Sequence, residues 1–560
     1  MNSFSDKDKH VFDTILIQRE PKKMKIFMLL LVFTLSAKAN ICLDVKVPDS
    51  EFYTFQNDIK IKTHDGFVLS ANLLVPKVNA KEKNGNKFPT IIFGNSWLLD
   101  EHEYLRQATR LAKEGYQVLS YSLRGWGCSE GEIDIIGPSD TSDFKLVVDW
   151  LRDHTSVDMK RIGLSGISYG GGLSLMMAAK EPRIKTVVAM SAWGSLLDAL
   201  YANETPRKFW GDFLIISGKY LGNAPQYVKE YFDKLSETSD EKEIAHIIKW
   251  AKERSPVEFI DEVNKRKVPV MIANNFGDNL FTPNNVLSYF KKLKGPKKLI
   301  LAQGTHATTE LGGLFFEKNI HFNFAKIWFD YWLKGIDHPF IHDKDMFIES
   351  DLKKERNIVS SKRFDRFKKP LYLNERGVLG AGKLLGTYPV LKESDEYFSY
   401  FDSFAGSGIP FISDLIDGNF SVPKFEYIPR LFRRHALVFE GKRLSETLLV
   451  QGNVEVSLKV KSTDENIHLI GYLYDVGPRN IAKLITHGVV TKRSVIPFQN
   501  YILKFDLNTT SYKVDRDHSL VFVIDSSDIL YNSYQSPLSK IIVEYGKETS
   551  LKVPWVRALY

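Results

Sequence analysis

Apolar and polar residues alternate through positions 55–61 and 67–75, on either side of Thr63-His64-Asp65-Gly66. A period of two around a glycine turn predicts a β-hairpin. The pattern then changes to short, fully apolar runs at 90–93, 117–123, 161–164 and 185–190, separated by helical periodicity at 101–114, 143–153 and 169–180. Strands without a polar face, alternating with helices, predict a parallel sheet covered on both sides. Residues 193–265 break the alternation with a long helical stretch, clearest at 240–253, and this predicts a helical cap above the strand ends. The alternation resumes with a strand at 268–274, a helix at 283–293, a strand at 298–302 and a long helix from about 319 to 334.

Residues 337–369 are charged and weakly patterned. They predict a catalytic unit over 40–345, a linker over 346–369 and a second domain over 370–560. In that domain helical periodicity nearly disappears, and short alternating runs at 454–460, 468–474, 484–490, 503–507, 519–524 and 540–544 predict an antiparallel β-sandwich of jelly-roll type. The fold class expected is therefore α/β: an α/β-hydrolase with a cap insertion, followed by a β-sandwich.

Composition adds bounds. With 560 residues, 43% of them hydrophobic and 26% charged, the chain is globular and long enough for two or more domains. Its net charge of +8 includes no basic run interleaved with aromatics, which argues against a nucleic-acid partner. Near the start, Lys22-Lys23-Met24-Lys25 precedes the apolar run 26–35 and then Ser36-Ala37-Lys38-Ala39. That order predicts a secretory signal within 1–39, export to the periplasm or beyond, and no stable membrane span after cleavage. Met1 and Met24 are both candidate starts. Two cysteines, Cys42 and Cys128, do not make a disulfide scaffold, although they could pair in an oxidising compartment.

The chemistry centres on Gly166-Ile167-Ser168-Tyr169-Gly170, between a predicted strand and a predicted helix. A serine at so sharp a reversal takes a strained backbone, and glycines two residues to either side avoid the clash, as in a nucleophile elbow. Asp278 and His306 each follow another strand end, and the order Ser, Asp, His is that of α/β-hydrolases. Ser168 would attack, His306 would act as base and acid, and Asp278 would orient the imidazole. Alone, Asp278 after a glycine also reads as a turn residue. Of the cap aromatics, most fill its own core, and Trp193 and Trp210 are the candidates for a substrate pocket. Arg124 either anchors its loop or meets a substrate carboxylate.

The segments 166–171, Leu123-Arg124-Gly125-Trp126-Gly127-Cys128-Ser129-Glu130-Gly131, Gly277-Asp278 and Gly304-Thr305-His306 together resemble the X-Pro dipeptidyl-peptidase-like hydrolases. That group includes cocaine-esterase-type acyl esterases and α-amino-acid ester hydrolases. Residues 467–476 and 484–488 resemble its C-terminal jelly roll, so the likeness runs from about 50 to 550. The resemblance implies a serine hydrolase acting on an ester, amide or peptide through an acyl-enzyme, with no metal or organic cofactor. It also implies an oxyanion hole made by the Tyr169 backbone N–H and a tyrosine hydroxyl. At the tyrosine's place this chain has Gly94-Asn95-Ser96-Trp97. The second donor is then the Trp97 indole, or else Asn95, Ser96 or a backbone N–H. Within the family an acyl esterase needs an apolar acyl pocket, whereas an X-Pro dipeptidyl-peptidase needs a carboxylate on the cap for a free amine. A rival outside enzymology is a degenerate hydrolase that binds a peptide or glycan through the β-sandwich.

Overall fold

In the computed structural model, the described residues are 45, 47–48, 50–77, 87–238, 240–315, 319–350, 355–376, 380–390, 393–399, 401–408, 413 and 424–557. The expected signal at 1–39 and Cys42 lie outside them. Among the described residues no helix is long and apolar enough to cross a membrane.

The predicted hairpin forms as β1 (Tyr53–Lys62) and β2 (Val68–Pro76), paired antiparallel with Ile61 opposite Leu69. Then come β3 (Phe88–Gly94), α1 (Leu105–Lys113), β4 (Gln117–Tyr121), α2 (Pro138–His154), β5 (Val157–Ile167), α3 (Tyr169–Lys180) and β6 (Ile184–Met190). The cap follows as α4 (Leu196–Leu200), α5 (Lys208–Leu221), α6 (Gln226–Glu237), α7 (Glu241–Glu253) and α8 (Ile260–Arg266). Asp240 starts α7 by accepting a hydrogen bond from the Lys242 N–H at 2.8 Å. Beyond the cap lie β7 (Val270–Asn275), α9 (Pro283–Lys292), β8 (Lys297–Ala302), α10 (Thr308–Phe315) and α11 (Ile320–Phe329).

Two further strands, β9 (Met346–Ser350) and β10 (Glu355–Val359), complete a ten-stranded sheet of order β1-β2-β4-β3-β5-β6-β7-β8-β9-β10. This corrects the linker expected over 346–369. Met346, Phe347 and Ile348 are too apolar to leave in water, and β9 adds to β8 in parallel, burying all five of its residues. From β4 to β9 the neighbours are parallel. Their carboxyl ends therefore share one rim, where open α/β sheets place their sites.

The second domain is a strand-rich β-sandwich built on a fourteen-stranded sheet. Its central strands, β11 (Ile467–Val476) and β12 (Ser519–Asp525), are buried on both faces. Leu469, Leu473, Phe522 and Ile524 point into the sandwich's own core. Their alternates Ile470, Tyr472, Val521 and Val523 join the core of the α/β domain. The run 467–476 lacks polar alternation because each face meets a different apolar partner.

Polar contacts fix the same junction. Asn284 of α9 accepts from the Thr509 N–H and hydroxyl at 2.7 and 2.6 Å. Arg493 is buried, donates to the Leu235 carbonyl of the cap at 2.8 Å, and also reaches the Thr238 carbonyl and the Tyr534 hydroxyl. Replacing Arg493 by Met takes this donor from all three acceptors, of which, among the described residues, only the Leu235 carbonyl keeps a second one, the Tyr534 hydroxyl at 3.2 Å, so Arg493→Met is expected to lower stability by about 2–4 kcal/mol. Differential scanning calorimetry reads this as a fall in melting midpoint. An unchanged midpoint would mean that the arginine carries none of the cap–sandwich contact.

Candidate active site

The elbow is a steric construction. Ser168 sits at φ 53°, ψ −107°, between the end of β5 and the first residue of α3, and its N–H donates to the Met190 carbonyl at 2.8 Å. A side chain at Gly166 would overlap the backbone of Gly170, and one at Gly170 would overlap the carbonyl oxygen of Gly94. These close approaches close the elbow on itself and pin it against the loop after β3. A non-glycine residue at that φ is strained, and the surrounding packing holds it there.

The structure brings all three sequence-predicted partners together. Ser168 Oγ lies 3.0 Å from His306 Nε2, and His306 Nδ1 lies 2.9 Å from Asp278 Oδ2. The other Asp278 oxygen accepts the N–H groups of Leu280 and Phe281 at 3.0 and 2.8 Å. Burial pushes the Asp278 carboxyl above the usual carboxylate range, while His306 and these N–H groups pull it back. Trp210 and Phe281 stand edge-on to the imidazole, with ring centroids 5.7 and 5.2 Å away.

Trp97 is not where the resemblance put it. Its indole N–H donates to Ser217 Oγ of the cap at 3.1 Å, with the ring wedged against Trp126 and Tyr169. Asn95 and Ser96 are also committed. The Asn95 amide donates to the Ser96 and Leu99 carbonyls and accepts from the Leu123 N–H. Ser96 is bound by Glu103 through both its N–H and its hydroxyl. The turn from Ser96 to Leu99, closed by a 3.1 Å hydrogen bond, leaves the Trp97 backbone N–H with no acceptor among the described residues. Tyr169 opens α3, so its own N–H has no partner within the helix.

The remaining candidates have structural surroundings. Trp193 is buried, donates to the Arg254 carbonyl at 2.9 Å and packs where a Cβ on Gly172 would sit. It is a wall beneath the cap. Trp210 is buried too, with its N–H on Asn279 Oδ1 at 2.9 Å, next to the Asp278 loop. Arg124 forks onto Asp143 at 2.7 and 2.8 Å and reaches Asp65 at 2.9 Å, which anchors its loop. Cys128 is disulfide-bonded, and the chain has one other cysteine, Cys42.

Sequence reasoning missed a network behind His306. Ser191 follows β6 and donates to Glu310 Oε1 at 2.7 Å, while Asn275 donates to Glu310 Oε2 at 3.0 Å. His321 Nδ1 is 3.0 Å from Glu310 Oε1, and the Ala307 N–H reaches Ser191 Oγ at 3.3 Å. Ser191 and Asn275 occupy strand ends and could have been flagged on that ground. Glu310 and His321 sit in helical stretches that carry no local signal.

Residues 65–308 match the family model of the X-Pro dipeptidyl-peptidase (S15 family), and residues 360–546 match that of the X-Pro dipeptidyl-peptidase C-terminal non-catalytic domain. The chain belongs to the S15 family of serine hydrolases. A putative Xaa-Pro dipeptidyl-peptidase of Bacillus anthracis is 20% identical over 487 residues, 78% of this chain and 73% of that protein. An uncharacterized 31.7 kDa protein of Escherichia coli is 31% identical over 128 residues, covering 22% of this chain and 44% of that protein, so the match spans less than half of that relative. The crystal structure of an aminopeptidase from a Thaumarchaeota archaeon shares the fold, with a TM-score of 0.70 at 15% identity over 93% of this chain and 99% of that one.

Because the Trp97 indole is bound to Ser217, Trp97→Phe is expected to keep kcat within about threefold in a p-nitrophenyl ester assay. A drop of about 100- to 1,000-fold, the usual effect of losing an oxyanion donor, would place the indole N–H in the site after all.

Proposed function

We propose that this S15-family protein cleaves an acyl ester or amide through a covalent acyl-enzyme. The observation that carries the reading is the continuous relay from Ser168 Oγ through His306 to the buried Asp278 carboxylate. His306 Nε2 accepts the hydroxyl proton as Ser168 attacks the carbonyl carbon, and Asp278 holds Nδ1–H and balances the imidazolium. The N–H groups of Tyr169 and Trp97 are the donors this reading gives to the oxyanion. His306 then protonates the departing alcohol or amine, and a water deprotonated by the same imidazole releases the acid and restores Ser168. No step calls for a metal or organic cofactor.

Rings stand against the imidazole, Trp210 and Phe281 edge-on to His306. Such walls favour an apolar acyl group. Release of N-terminal X-Pro dipeptides is the second reading, supported by family membership and by the name of the Bacillus anthracis relative. The N-terminal pattern at 1–39 supports export, and a disulfide on Cys128 fits an oxidising compartment.

A fluorophosphonate probe is expected to label the wild type and not Ser168→Ala, and Asp278→Asn should lower kcat by about 10,000-fold, as when a triad aspartate becomes an amide. Absence of serine-dependent labelling at neutral pH would sink the hydrolase reading. With labelling in hand, p-nitrophenyl esters are expected to turn over faster than X-Pro-anilides. Activity confined to the anilides would favour the dipeptidyl-peptidase.

A further inference from the structure

Beneath the elbow lies a second set of side chains that the triad does not use. Glu103, in the turn before α1, faces Ser96: Oε2 accepts the Ser96 N–H at 2.6 Å, and Oε1 is 2.6 Å from Ser96 Oγ. The same Ser96 Oγ is 3.0 Å from the carbonyl oxygen of Ile167, the residue before Ser168. Tyr104 Oη accepts the Ile167 N–H at 2.9 Å and lies 3.4 Å from Ser96 Oγ. Both main-chain groups of Ile167 are therefore held by side chains of the 96–104 segment.

Counting protons decides how this set is occupied. The Ser96 hydroxyl has one proton and two acceptors close by, Glu103 Oε1 and the Ile167 carbonyl. With a protonated carboxyl, Glu103 donates to Ser96 Oγ, Ser96 donates to Ile167, and the other carboxyl oxygen takes the Ser96 N–H. Every group is then paired. With a carboxylate, the Ser96 proton turns to Glu103 and the Ile167 contact has none. We infer that Glu103 is a positioning residue that works as the neutral acid, locking the loop that carries the Trp97 N–H onto the backbone immediately before Ser168.

The electrostatics agree. Burial, reinforced by the charge of nearby Asp100, lifts the Glu103 carboxyl to about 8 against the pull of the Ser96 donors and Tyr104. Asp100 is itself paired with His102, 3.2 Å away. The inference rests on the hydrolase reading for its kinetic consequence, but not for the protonation state.

The test compares Glu103→Gln, whose amide reproduces both hydrogen bonds at any pH, with Glu103→Ala and Ser96→Ala. At pH 7 the two alanine variants are expected to lose about tenfold or more in kcat on a p-nitrophenyl ester with KM within about threefold, and Glu103→Gln to recover most of that loss. Above pH 8 the wild type should decline in kcat and Glu103→Gln should not. Glutamine as damaging as alanine, or an unchanged alkaline limb in Glu103→Gln, overturns the inference.

Melting midpoints supply a second arm that needs no activity. A carboxyl raised in the native state contributes stability that is lost as pH rises from its unfolded value towards 8. The wild type should therefore lose more stability than Glu103→Gln between pH 5 and pH 9. Identical pH dependences would show that Glu103 is ionised in the native protein. If the wild type turns over no ester and takes no probe, the hydrolase reading fails, and the melting comparison still decides Glu103.

Discussion

Everything around the site depends on backbone meeting backbone at the elbow. The carbonyl of Gly94, at the end of β3, occupies the space a side chain on Gly170 would need, and Gly170 in turn fills the space beside Gly166. Two segments that are distant in sequence, the end of β3 and the elbow, converge with no side chains between them. This approach holds Ser168 at a φ its residue type avoids, aims its hydroxyl at His306, and brings the 94–99 loop beside the N-terminus of α3. On the proposed reading, the N-terminus of α3 and a loop N–H beside it would stabilise developing negative charge. The geometry is preorganised by packing rather than by the triad's own hydrogen bonds.

The second constraint is how the sandwich joins the catalytic domain. A sheet with one wet face could hang from a linker, but β11 and β12 divide their residues between two cores. Separating the domains would expose Ile470, Tyr472, Val521 and Val523 together, and burying even a single such side chain is worth about 1.5–3 kcal/mol. The sandwich is thus part of the catalytic unit's core. Arg493 and Asn284 add registry by tying it to the cap and to the helix after the Asp278 loop. The position of the cap over the site is set from both sides.

This explains what could be read from the sequence. The parallel strands, the cap and the three strand-end residues Ser168, Asp278 and His306 carry strong local signals, because apolar runs, glycines and polar residues at run ends are one-dimensional features. The second oxyanion donor did not. Trp97 carries an indole donor in the family tyrosine's place, and only the three-dimensional contact with Ser217 reveals that this donor is spent on the cap. Strand β9 was lost among the charges of 337–369, since a strand that completes a sheet edge needs only a few apolar residues. Glu103 was hidden because the helix expected at 101–114 begins at Leu105, which leaves 101–104 as a turn able to face the elbow.

Two loops of the site are braced by the same device, in opposite charge states. After β3, Ser96 joins Glu103 to the Ile167 carbonyl; after β6, Ser191 joins Glu310 to the Ala307 N–H. One serine supports the nucleophile and the other supports the histidine loop. Glu310 is fully buried and Glu103 is half-buried, and desolvation alone would raise each carboxyl. Glu310, however, has His321 Nδ1 at 3.0 Å, and its interaction with His321 together with the Ser191 hydrogen bond brings the carboxyl below its ordinary value. Glu103 has Asp100 nearby instead, so nothing offsets burial enough to keep the charge. The difference follows what each serine must do. Ser191 has to accept from the Ala307 N–H, so its proton is free for a carboxylate. Ser96 has to donate to the Ile167 carbonyl, so its partner must bring a proton of its own.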